Sequence, residues 1–120
     1  MNDPEGPLSR EAIEQIDASL LPQLDRHHLR LLAHCLACFQ AMDPLPEDGS
    51  LPKETSRRSW CLKQPRIAED PGFVALLLEQ FDVAAVQLEA IAQEQQLAPM
   101  ALTLEGLIAA AQARCQHRET

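Results

Sequence analysis

Asp70 and Pro71 open a run that meets no further proline until Pro99, "PGFVALLLEQFDVAAVQLEAIAQEQQ" at residues 71–96. An aspartate directly before a proline is a strong helix start, because the carboxylate caps the first free N–H groups and proline presets φ at the first helical position. A helix of this length reaches roughly 39 Å. The rest of a chain of 120 residues must pack around it. Phe73, Val74, Leu77, Phe81, Leu88 and Ile91 fall on one arc and demand a core. A second, narrower stripe holds Leu76, Val83 and Ala90, spaced by seven, with Val86 nearby; Glu79, Gln87 and Glu94 interleave with it. Apolar residues at heptad spacing make a seam for another helix. Either a helix of the same chain covers that seam, or it is a dimer or partner surface.

The remaining breaks divide the chain into further helices. Ser9 caps "REAIEQIDASLL", with Ile13, Ile16 and Leu20 on one face, and Pro22 ends it. Asp25 is the expected cap of "RHHLRLLAHCLACFQAM", which Asp43 and Pro44 close. Residues 43–51 read as a loop rich in proline and acids. Pro52 or Thr55 opens a short helix through "SRRSWCLKQ", closed by Pro65. Thr103 caps a last helix, whose final turn carries Arg114, His117 and Arg118, cations that suit the helix dipole. No stretch alternates with period two over a strand's length, and no Asn-Gly hairpin signal occurs.

The expected fold is therefore all-α, a four- to five-helix bundle with one long helix near residues 71–96. Residues 1–8 are expected to be a disordered N-terminal segment, and residues 9–118 a single helical domain. Composition agrees. Aromatics are only 3% of the chain (Phe39, Trp60, Phe73 and Phe81), so the core must be built from leucine, alanine, valine and isoleucine. Leucine and alanine favour helix.

Net charge is −8, which disfavours bulk nucleic-acid binding because phosphate needs a positive face. The polar, proline-containing start "MNDPEGPLSR" is unlike a secretory signal, and no apolar run approaches the ~20 residues that span a bilayer. The expectation is a cytoplasmic protein, without membrane span, whose four cysteines stay reduced. No Gly-rich phosphate loop, H-E-x-x-H, G-x-S-x-G or EF-hand loop is present, so no catalytic residues and no cofactor are assigned.

Cys35 and Cys38 stand in C-x-x-C spacing beside His34. Projected at 100° per residue, Leu29, Leu32, Cys35, Leu36, Phe39 and Met42 share one apolar arc, while His27, His34 and Cys38 run along its margin. A thioredoxin-type couple needs a helix N-terminus to lower the thiol pKa, and these thiols lie deep in the helix. The C-x-x-C on a helix resembles that of alkylhydroperoxidase-like proteins, but the resemblance ends after two residues, because Met42 stands where that family has its histidine. A zinc- or thiol-based sensor would draw on His34, Cys38 and Cys61, with His27 or Cys115 as a fourth ligand. His27 and His28 are consecutive and point about 100° apart. The simpler expectation is that these cysteines are small buried hydrophobes and no metal is held.

One segment inverts the charge of the chain. Lys53, Arg57, Arg58, Lys63 and Arg66 are opposed only by Glu54, giving +4 within residues 53–66 and leaving −12 for the rest. Trp60, the single tryptophan, sits among them. Arginine and tryptophan are enriched at binding hot spots. The alternative is that Trp60 plugs the core and the arginines pair with acids of neighbouring helices. The functional expectation is a small non-enzymatic interaction protein: a regulator, adaptor or assembly factor. It binds a protein partner, or itself as a homodimer, through Lys53, Arg57, Arg58, Trp60, Lys63 and Arg66 and through the Leu76, Val83 and Ala90 stripe.

Overall fold

The structure, a computed structural model, describes residues 9–43 and 48–119. The segment expected to be disordered, residues 1–8, lies outside the described residues, as do the side chains of His117 and Arg118. The described residues form six α-helices and no strand. They are α1 (Arg10–Ala18), α2 (Gln23–Met42), α3 (Glu54–Lys63), α4 (Pro65–Ala68), α5 (Pro71–Gln95) and α6 (Leu104–Glu119), with a 3-10 turn at Pro99–Ala101.

Three expected caps are in place. Ser9 Oγ accepts from Ala12 N–H, Asp70 Oδ1 from Phe73 N–H, and Thr103 Oγ1 from Gly106 N–H, at 3.0, 3.1 and 3.1 Å. Each satisfies a donor that a helix start leaves open. Asp25 is not a cap. Helix α2 begins two residues earlier, directly after Pro22, and Asp25 falls in its first turn, where a carboxylate still suits the dipole. The helix beyond the expected five is α4. Pro65 ends α3 and, with its φ preset, starts one further turn. Helix α5 stops on Gln96, which takes the left-handed conformation (φ 58°) and donates to Ala92 and Gln93 carbonyls. Leu97 N–H then also reaches Ala92 O at 2.9 Å, so the last carbonyls are satisfied as in a Schellman-type ending.

Helix α5 lies between α2 on one side and α3 and α4 on the other, while α2 also carries α1 and α6. The buried residues form one connected cluster, with Leu29, Leu32, Leu36 and Phe39 from α2 meeting Leu77, Phe81, Leu88 and Ile91 from α5. Three of the four aromatics meet at its centre. Phe39 and Phe81 lie 5.2 Å apart between ring centroids, and Trp60 approaches Phe81 edge-on at 6.3 Å. Phe73, expected on the buried arc, is exposed, because it lies at the arc's edge in the first turn of α5. Cys38, expected at the margin of α2, is buried: α3 closes over that side and brings Cys61 beside it.

The α2–α3 loop is tied down by Gly49. Its carbonyl accepts from Met100 N–H at 2.9 Å, and its φ of +77° is one that favours glycine. A Cβ there would run into Ala98.

Candidate functional site

The basic segment maps onto α3 and α4, and its residues do not share one role. Arg57 is built into the fold. Its side chain is only 12% exposed. Nε donates to Pro52 O at 2.9 Å, Nη1 pairs with Asp82 of α5 at 2.9 Å, and the guanidinium lies over the Phe39 ring at 5.2 Å. A planar cation that stacks and forks at once is what arginine supplies and lysine does not. Trp60 is half-buried against Phe81. Trp60 thus packs onto the core, and Arg57 pairs with an acid of a neighbouring helix. Lys53, Arg58, Lys63 and Arg66 are exposed. Arg58 makes only a long contact with Glu54, 3.7 Å across one helical turn.

The long-helix stripe is open. Among the described residues no helix covers it: Leu76 is 51% exposed, Val83 59% and Val86 68%, and Ala90 is exposed as well. Leu76 and Val83 form one wall of an apolar groove of about 320 Å³ between α5 and α2. Leu31 and His28 form the facing wall, with Leu32 and Ala84 at the floor. Glu79, Gln80 and Gln87 complete the α5 rim. His28 and Leu31 are three apart on α2, so they share a face, and Leu24, also strongly exposed, lies one turn before them. A sequence signal for the α2 wall was available: Leu24, His28 and Leu31 form an i, i+4, i+7 row along the Met42 edge of the main apolar arc. A second groove of about 390 Å³ runs along the other flank of α5, between α3 and α4. It is lined by Arg58, Glu54, Glu79 and Asp82 among apolar residues, so charges of both signs face it.

The cysteines belong to the core. Cys35, Cys38 and Cys61 are buried and free, and Cys115 is half-buried and free. Burial pushes the Cys35 thiol up to about 11 and the Cys38 thiol up to about 12, the latter helped by the neighbouring Cys35 and Cys61. Cys61 is likewise raised by burial, with Arg58 pulling the other way. Such thiols stay protonated at neutral pH and are poor nucleophiles and poor metal ligands. His34 is held below its ordinary value by burial. Among the described residues no three histidine, cysteine, aspartate or glutamate side chains are grouped to hold a metal, and His34, Cys38 and Cys61 are not brought into such a cluster.

The features of the molecule are thus a helical bundle, a braced cationic helix and an open apolar groove. Residues 8–118 match the family model described as NDH complex assembly factor CRR9, and the chain belongs to that family. No curated protein and no solved structure matches the chain.

Proposed function

We propose that this protein is a non-enzymatic assembly factor that holds a protein component of an NDH complex through the α2–α5 groove. Family membership supports the assembly role. The observation that carries the surface is the exposure of Leu76, Val83 and Val86 along one helix. Exposed apolar patches of this kind mark interaction sites, because leaving them in water is unfavourable and covering them is not. Residues 9–118 act as one unit, supported by the single connected core. The exposed cations Lys53, Arg58, Lys63 and Arg66 add a second contact that steers an acidic surface of the partner and contributes less affinity than the groove. Trp60 and Arg57 act indirectly, by holding α3 against α5. No described helix is long and apolar enough to cross a membrane. The reading has the protein working from the cytosol, a reducing compartment in keeping with four free cysteines.

The test is complementation. In cells that lack the protein, the wild-type chain is expected to restore NDH complex accumulation, and the variant Leu76→Asp with Val83→Asp is expected not to, at equal protein level. Full restoration by the double variant removes the groove from the account.

A further inference from the structure

The groove also shows what should fill it. Helix α5 carries four carboxylates, Glu79, Asp82, Glu89 and Glu94, and no lysine or arginine at all. Asp82 is spent on Arg57. Glu79 lines the groove, and Glu94 follows Leu76 by five full turns and so lies on the same face of the helix. The facing helix does not neutralise them. Both arginines of α2 are engaged with α1, Arg30 with the Asp17 carboxylate at 2.8 Å and Arg26 with the Asp17 carbonyl at 3.4 Å. The apolar trough is therefore edged by Glu79 on its α5 side, with both α2 arginines turned away; the nearest other arginines, Arg58 and Arg114, lie in the neighbouring hollows that Glu79 and Glu94 also line.

From Leu76 to Gln87 the α5 wall rises about 17 Å, three turns of helix. Two helices side by side present a trough suited to a third, whose apolar residues recur at three and four. We infer that the occupant is a cationic amphipathic helix of another chain: an apolar face seated on Leu76, Val83 and Leu31, flanked by lysine or arginine that meet Glu79 and Glu94. This deepens the proposed function and rests on it. A second copy of the chain is a poor occupant. Pairing two α5 stripes would set Glu79 and Glu94 of one copy against those of the other with no lysine or arginine on the stripe between them, and like charges across an interface are costly. An anionic lipid surface is repelled by the same edge.

The probe is a synthetic amphipathic helix with a leucine face and lysine flanks, titrated into isotopically labelled protein and followed by amide NMR. Its counterpart carries glutamate in place of every lysine. The lysine peptide is expected to shift the amides around Leu31, Leu76 and Val83, and to bind at least tenfold more tightly than the glutamate peptide. Val83→Asp is expected to weaken it at least tenfold although that variant adds negative charge, which separates seating in the trough from general attraction to an acidic protein. Glu79→Lys with Glu94→Lys is expected to weaken it as well. Three results would overturn the inference: equal binding of the two peptides, shifts confined to surfaces away from the groove, or Val83 amides that shift on dilution as a homodimer seated on the stripe dissociates. If the peptides fail while Leu76→Asp with Val83→Asp still blocks complex accumulation, the groove remains the partner surface and only the chemistry of its occupant is wrong.

Discussion

On its α3 side, helix α5 is fastened by directional contacts; on its α2 side it leaves a trough open. The α3 side spends its chemistry inward. Asp82 holds Arg57, Arg57 covers Phe39 and caps the Pro52 carbonyl, and Trp60 leans on Phe81. The α2 side buries Leu77, Phe81, Leu88 and Ile91 but leaves Leu76, Val83 and Val86 in water. The difference separates two kinds of residue that composition alone treats alike. A cation beside an aromatic is a binding surface only if it is not already bound within the chain. An aliphatic residue on a core helix is core only if something covers it.

The widest expected gap is on α5 itself. Phe81→Ala removes a buried ring from the aromatic centre and should cost about 3–5 kcal/mol of stability. Val83→Asp, two residues away on the open face, should change stability by no more than about 0.5 kcal/mol. Urea unfolding followed by helical circular dichroism reads both, and comparable losses would mean that the stripe is covered after all.

The cations of α3 divide in the same way. Arg57→Glu breaks two hydrogen bonds and a ring contact and sets a carboxylate against Asp82, for an expected loss of about 2–3 kcal/mol. Arg58→Glu disturbs one exposed, long ion pair and should cost at most about 0.5 kcal/mol. A double change of both arginines would therefore confuse unfolding with lost binding, whereas Arg58→Glu with Lys63→Glu tests the exposed cations alone.

Smaller effects probe the closed side of α2. A thiol reagent should modify Cys115 in the folded protein, while Cys35, Cys38 and Cys61 should react only as the chain unfolds in urea. Prompt reaction of Cys38 in the native protein would reopen the sensor reading. His34 adds a pH dependence. Burial lowers its folded pKa below the 6.5 of the free side chain. Between those two values the unfolded chain binds more protons, so the contribution is present above about pH 6.5 and is lost on acidification. Melting temperature should fall less steeply from about pH 7.5 to pH 5 in His34→Gln than in the wild type; parallel curves would show that His34 is not desolvated.

The helices were legible in the sequence because their punctuation is local. Ser9, Asp70-Pro71 and Thr103 mark starts by hydrogen bonds to residues three positions on, and a periodic apolar arc names its own core. Helix α4 was not legible, since one turn after a proline has no period to detect. The burial of Cys38 was not either, because it depends on α3 closing over α2. The heptad stripe could be seen, but whether it stayed open is a matter of tertiary packing. The +4 segment was visible as charge; that Arg57 is bound inward and Arg58 is not depends on Asp82, which is far along the chain. The α2 wall of the groove was missed, although Leu24, His28 and Leu31 carried the spacing that marks it.

The most direct test is hydrogen–deuterium exchange of the full chain, alone and after addition of purified NDH assembly intermediates. The account predicts that binding slows exchange in α2 around residues 28–32 and in α5 around residues 76–87, with a lesser change in α3. Protection confined to α3 and α4, with the groove helices unchanged, would contradict it and make the cationic face the partner surface instead.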